Sequence, residues 1–310
     1  SMYYKWVAAT SHSKCVVAST TGDEYMSEDK ITVEALARLE NCDDVRFRSI
    51  MTSVITHLHE VVREVEPTLE EWGQAIDFLT QVGHWCDDTR QEFILLSDTL
   101  AVSMLVDTLA HPKPESATES TVLGPFHVPG APELPFGANI SKGRSGEPTL
   151  VTGRVLGIDG TPIANAKLDV WQASAEGFYD VQETERFPDM NLRGIFYTDS
   201  QGQFGFCTEK PASYPVPTDG PVGVMLKALG RPAMRPAHIH FMVSAEQHQP
   251  LTTHLFVRGD PYLNSDAVQA VKDSLIVDFK QLDDPVEAEQ FGISSPYFKV
   301  NEDFRLASTA

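Results

Sequence analysis

An apolar strap rich in proline and glycine, Val122-Leu123-Gly124-Pro125-Phe126-His127-Val128-Pro129-Gly130-Ala131-Pro132, constrains this chain more than any other stretch. Its prolines fix φ and remove backbone donors, so it is neither a regular helix nor a central strand. It separates two textures. Upstream, apolar residues recur at helical spacing; from Leu150 onward, short runs alternate with turn signals.

The helical half is punctuated clearly. Ile31 to Leu39 has helix spacing, and Val45 to Val65 is a longer amphipathic stretch stopped by Pro67. Thr68-Leu69-Glu70-Glu71 is a capping box opening a helix to about Val82, and Thr89-Arg90-Gln91-Glu92 is a second. The helix expected after it, Phe93 to Leu109, is apolar enough to be buried on most sides, and its Asp98 then needs a partner or a role. His57 and His59 lie on one of these helices, about 200° apart around its axis, and cannot share an ion. His111 to Ser120 reads as a linker.

In the second half, strands are expected at Leu150–Leu156, Ala166–Trp171, Gly194–Thr198, Gln203–Cys207, Val222–Leu229, His238–Val243, Thr253–Val257 and Ile276–Phe279, with a short helix at Ser265–Lys272. This pattern predicts an α+β chain: an α-helical domain, residues 1–121, then a mostly antiparallel β-sandwich domain, residues 122–310.

Chemistry concentrates in Arg235-Pro236-Ala237-His238-Ile239-His240-Phe241. On a strand, residues two apart leave the same face, so His238 and His240 can chelate one ion. Imidazole suits iron, zinc, copper and nickel alike, and two hydrogen-bonded histidines on a half-buried strand remain the alternative. Cys15, Cys42, Cys86 and Cys207 form no Cys-x-x-Cys pair and read as reduced thiols of a cytoplasmic protein. No stretch approaches eighteen apolar residues, no signal-peptide pattern opens the chain, and Ser1 before Met2 reads as a cloning remnant. A net charge of −20 argues against nucleic acid or an anionic membrane as partner.

Further motifs lie in order around the histidine pair: Trp171 with Gly177-Phe178-Tyr179; Asn191-Leu192-Arg193-Gly194; Tyr214-Pro215 with Asp219-Gly220; and Thr253-His254-Leu255-Phe256-Val257. Together they resemble the intradiol ring-cleavage dioxygenases, the catechol 1,2-dioxygenase superfamily, over residues 30 to 300. The resemblance implies one non-haem Fe(III) per chain, held by Tyr179, Tyr214, His238 and His240. It implies Tyr214 as the ligand that leaves and takes a proton, and Arg235 as the charge facing the substrate ring. Two tyrosinates and a hydroxide balance Fe(III), and a highly charged ion deprotonates its own phenol ligands.

The same resemblance places Leu95, Asp98, Gly124, Pro125, Phe126, Val216, Pro217, Arg235, His254 and Val268 around a small aromatic diol or triol that reacts with O2. Local sequence around residues 122–126, 177–182 and 253–257 is more similar to hydroxyquinol 1,2-dioxygenases than to catechol 1,2-dioxygenases, which usually carry Gln where this chain has His254. The expected product is 3-hydroxy-cis,cis-muconate, which tautomerises to maleylacetate; catechol or a chlorocatechol is the alternative substrate. Ala101 stands where the family suggests Gly. The helical half resembles the family's linker domain, which implies a homodimer, often around a bound lipid. A non-catalytic β-sandwich binding module and a zinc or iron(II) enzyme with a carboxylate ligand are the rival readings.

Overall fold

The computed structural model describes residues 28–87, 90–112, 114–142 and 146–309. The chain forms two compact units that divide between Gln81 and Val82.

The first unit contains α1 (Glu28–Ala37), a 3-10 turn (Arg38–Asn41), α2 (Val45–Val65) and most of α3 (Leu69–His84). Asp44 caps α2 by accepting from Phe47 N, and Glu66 ends it in the left-handed region at φ 49°, just before Pro67. The capping box before α3 forms as expected. Thr68 N donates to Glu71 Oε2 at 2.8 Å, and Glu71 N donates back to Thr68 Oγ1 at 3.2 Å. His57 contacts Glu60, whereas His59 contacts Thr32, so the two rings serve different partners.

Thr89, which would open the second capping box, lies outside the described residues. The single helix expected over Phe93–Leu109 is a correction. It is two helices, α4 (Glu92–Thr99) and α5 (Val102–Ala110), bent by 79°. The break falls at Leu100 and Ala101, and Ala101 is left-handed at φ 59°. Nor is the pair buried on most sides: Phe93, Ile94, Leu105 and Leu109 are exposed, while Leu95, Asp98 and Met104 face inward. Among the described residues no single helix is long and apolar enough to cross a membrane.

The sandwich is built from β1 (Pro148–Gly157), β2 (Lys167–Gln172), β3 (Arg193–Tyr197), β4 (Gln203–Glu209), β7 (His238–Ser244), β8 (Leu251–Val257), β9 (Ile276–Val277), β10 (Lys280–Leu282), β11 (Tyr297–Asn301) and β12 (Phe304–Leu306). One sheet runs β10-β11-β1-β12 with β4 also paired to β1; the other runs β3-β2-β7-β8-β9. Both sheets are mixed rather than purely antiparallel. β1 pairs parallel with β11 and β12, and β8 with β9. A two-residue ribbon, β5 (Tyr214–Pro215) with β6 (Met234–Arg235), flanks the second sheet in sequence.

Two expectations fail here. Val222–Leu229 is not a strand but lies mostly in helix α6 (Pro221–Ala228). Pro221 sits at the first helical position, where its missing N–H is harmless, and Val222 and Leu226 bury one face four residues apart. Ser265–Lys272 is not a helix; it is a chain of turns in which Gln269 is left-handed at φ 54°. Another short helix, α7 (Pro285–Gln290), precedes β11.

The strand period decides where chemistry can sit. On β7, Ile239, Phe241 and Val243 enter the inter-sheet core with Val151, Phe204 and Phe206. His238 and His240 therefore emerge on the opposite face, outside that core.

Candidate metal centre

Sheet register brings aromatic groups against the two histidines. His240 lies opposite Trp171 on β2 and His254 on β8, while His238 lies opposite Phe256. Both imidazoles are 1% exposed, and their Nε2 atoms face each other at 3.0 Å. His238 Nδ1 donates to Pro236 O at 2.7 Å. A carbonyl only accepts, so Nδ1 carries the proton and Nε2 presents a lone pair to the shared point.

Two loops deliver the tyrosines. Gly177, at φ 83°, lets them meet: a Cβ there would stand 3.1 Å from Ser213 O and 3.3 Å from Tyr214 Cβ. Tyr179 Oη lies 3.0 Å from His240 Nε2 and donates to Tyr214 Oη at 3.3 Å. Tyr214 pairs across the β5–β6 ribbon with Arg235, whose Nη1 is 3.5 Å from Tyr214 Oη and 3.3 Å from His238 Nε2. Four donor atoms from three parts of the chain thus converge, at separations typical of neighbouring ligands about 2 Å from one ion.

The walls are aromatic and charged. Trp171 stacks on His240 and Phe126 on Tyr179, with centroids 4.6 and 4.4 Å apart. Arg193 forms a buried pair with Asp180, the residue after Tyr179, and donates from Nη1 to Phe126 O at 2.7 Å. One guanidinium therefore ties a tyrosine loop to the proline-rich strap. Gly124 of that strap passes close to the centre: a Cβ there would lie 3.2 Å from His240 Cε1.

Burial, first, and the neighbouring Tyr214, next, hold the Tyr179 phenol well above its usual value. Burial is also the main reason that His238, His240 and His254 lie well below theirs, with Arg235 or a neighbouring imidazole adding to it. For Arg235, burial opposes the charge, but Asp266 and the two tyrosines outweigh it and raise the pKa. The protein side of the centre thus offers a neutral Tyr179 phenol and neutral imidazoles, and a bound cation would supply the charge that ionises that phenol. The donor set fits a hard, highly charged ion.

His254 is a third imidazole in this cluster. It is fully buried, neither ring nitrogen has a partner, and ring nitrogens of His238, His240 and His254 lie within 4.8 Å of one another. The three could hold a metal, and the Tyr179 hydroxyl, 3.0 Å from His240 Nε2, offers that nitrogen's site an oxygen donor as well.

Asp98, Gly124 and Pro125 line one cavity of about 540 Å³, together with Ser97 and Ser103. Leu95, Phe126, Val216, Pro217, His254 and Val268 are not among its lining residues; Phe126 and His254 lie against the metal-site side chains instead. Asp98 is buried and bonded to Ser103. Burial is the largest influence on it and raises its pKa, while Ser103 and Arg235 act against that. Tyr197 is partly exposed, and its hydroxyl donates to Glu133 Oε1 at 2.9 Å. Sequence reasoning missed Asp266, which it placed in a helix. Arg193 was visible only as part of the motif Asn191-Leu192-Arg193-Gly194, ahead of the strand expected at Gly194–Thr198.

The family described as Dioxygenase matches residues 123–300, and the one described as Catechol dioxygenase N terminus matches residues 44–118. The chain belongs to the intradiol dioxygenases. It is 53% identical to the hydroxyquinol 1,2-dioxygenase of Rhizobium sp. (strain MTP-10005), over 93% of this chain and 98% of that one. It is 50% identical to the 6-chlorohydroxyquinol 1,2-dioxygenase of Cupriavidus pinatubonensis, over 83% and 92%. The solved structure of hydroxyquinol 1,2-dioxygenase from Pseudomonas putida DLL-E4 superposes with a TM-score of 0.86 at 45% identity, covering 91% of this chain and 99% of that one. The intradiol dioxygenase fold therefore spans both the helical segment and the sandwich of this enzyme.

Proposed function

We propose that this intradiol dioxygenase cleaves hydroxyquinol with O2 to 3-hydroxy-cis,cis-muconate, using one non-haem Fe(III) held by Tyr179, Tyr214, His238 and His240. The observation that carries the ligand set is the Tyr179 hydroxyl, 3.0 Å from His240 Nε2 and 3.3 Å from the Tyr214 hydroxyl. Iron, when bound, draws electron density from a chelated diol and makes its ring carbons reactive toward O2. The remaining work belongs to the chain. Tyr214 Oη takes up a proton as the diol binds, and Arg235 beside it balances the negative charge this leaves. Trp171 and Gly124 exclude water from the His240 ring, and Phe126 from that of Tyr179. Both oxygen atoms of O2 end in the product, and no external reductant is required.

Asp98 supports a triol over a diol. A buried carboxylate on the wall of the cavity can accept a hydrogen bond from a third hydroxyl, whereas plain catechol offers it nothing. Hydroxyquinol is named for the Rhizobium relative and the superposed structure, and 6-chlorohydroxyquinol for the Cupriavidus relative. Within this reading, residues 1–121 form the linker and dimerisation domain, with exposed Phe47, Val54, Leu58 and Trp72 available to a second subunit or a lipid, and residues 122–310 form the catalytic domain of a cytoplasmic enzyme. The test compares kcat/KM on hydroxyquinol, catechol and 4-chlorocatechol in wild type and Asp98→Ala. Hydroxyquinol should be preferred, and the preference should shrink by about 10-fold or more in the variant. An unchanged ratio removes Asp98 from substrate choice, and a preference for catechol overturns the triol assignment.

A further inference from the structure

The Arg235 guanidinium is held from behind by a carboxylate that no ligand or substrate role accounts for. Asp266 lies on the loop between β8 and β9 and is 5% exposed. Its Oδ1 accepts from Arg235 Nε at 3.2 Å and from Val268 N at 3.3 Å, while Oδ2 accepts from Ala270 N at 2.9 Å. The loop is itself anchored: Ala267 N donates to the carbonyl of Met234, the residue before Arg235, and Arg231 Nη2 donates to Ala267 O. Asp266 is therefore fixed in a frame that shares β6 with the arginine it holds.

At the far side of the guanidinium, Nη1 lies near Tyr214 Oη and His238 Nε2, and Nη2 is buried without a partner. A guanidinium is planar, so a bond at Nε sets the direction of both Nη groups. We propose that Asp266 is a positioning residue for ring cleavage: its carboxylate fixes the plane of Arg235 so that the Nη edge stays directed at the bound diol, and the same two oxygens shape the turn that carries Val268. The inference rests on the function proposed above.

An amide cannot replace this carboxylate. Asp266 receives three N–H donors on two oxygens, whereas Asn has one acceptor oxygen and would set its NH2 against either Arg235 Nε or Ala270 N. Because Arg235 is assigned to charge that develops during the reaction, its misalignment should lower kcat more than binding.

The experiment uses iron-loaded protein in four forms: wild type, Asp266→Asn, Arg235→Ala and the double variant. Asp266→Asn should lower kcat about 10-fold, with iron content, the visible tyrosinate band and the anaerobic Kd for hydroxyquinol (titrated on that band) within about 3-fold of wild type. In the Arg235→Ala background, the same substitution should change kcat by less than about 2-fold. Equal losses in both backgrounds, or a wild-type kcat in Asp266→Asn, would overturn the proposal. Should Asp266→Asn fail to fold, Asp266→Ser keeps an acceptor for the turn and removes the charge, and the same criteria apply. If neither variant folds, Asp266 is a structural residue and the positioning role falls. A wild-type protein lacking the band or hydroxyquinol turnover would instead sink the functional reading.

Discussion

Arg193 and Asp180 form a bidentate ion pair in which both side chains are at most 5% exposed and the closest contact is 2.6 Å. The pair joins the loop of Tyr179 to the carbonyl of Phe126, whose ring stacks on that same tyrosine. Substituting Arg193 by Leu leaves a buried carboxylate without its cation. We expect a loss of about 3–5 kcal/mol in stability, measured by denaturant unfolding. Asp180→Asn keeps one acceptor for the guanidinium and should be milder; equal losses in the two variants would argue against the clamp.

Tyr179 is the proposed iron ligand whose removal separates the rival readings. Tyr179→Phe deletes one oxygen from a buried cluster while keeping the ring stack with Phe126. With Fe(III) bound by two tyrosinates, the wild-type protein should be red to purple from charge transfer. The variant should lose most of that absorbance and at least about 10³-fold in kcat. A colourless wild type with stoichiometric iron would remove the tyrosinates from the ligand set and favour an iron(II) site instead.

Much of this site was legible because strand chemistry is local. Alternation alone placed His238 and His240 on one face, and the structure puts Ile239 and Phe241 in the core beneath them. Val45–Val65 was equally readable, since its amphipathic run is stopped by Pro67, and the structure adds the Asp44 cap. Contacts between distant loops were not. Nothing near Asp266 in sequence announces that one of its oxygens meets Arg235, thirty-one positions away. Apolar runs also misled. Val222–Leu229 looks like a strand until Pro221 is read as a helix start, and Phe93–Leu109 looks like one helix because a left-handed alanine leaves no mark in the periodicity.

Acid should destabilise the protein through its buried imidazoles. Burial holds His238, His240 and His254 well below the ordinary 6.5 in the folded state. Above pH 6.5 both states are neutral at these positions and nothing is lost. Below it the unfolded chain takes up protons that the folded chain refuses, so stability falls as pH falls. Three such groups give a slope of at most about 4 kcal/mol per pH unit, and proton competition with any metal they hold adds to it. The thermal midpoint should drop steeply between pH 6.5 and 5, and His254→Gln should remove about a third of that slope. A slope unchanged in His254→Gln would mean that His254 does not titrate on unfolding.

Ala101 connects backbone strain to the question of pocket size. At φ 59° it occupies a region that costs a residue with a Cβ about 1 kcal/mol, and the 79° bend between α4 and α5 depends on it. Its methyl is not among the groups lining the cavity that holds Asp98. The consequence of alanine here is therefore conformational, rather than a narrower cavity. Glycine relieves the strain but gives back part of the gain through a more flexible unfolded chain. Ala101→Gly should stabilise the protein by about 0.5–1 kcal/mol, seen as a rise of about 1–4 °C in Tm. The ratio of kcat/KM for hydroxyquinol and catechol should stay within about 2-fold of wild type. A larger change in that ratio, with no gain in Tm, would show that the methyl acts on the substrate and not on the bend.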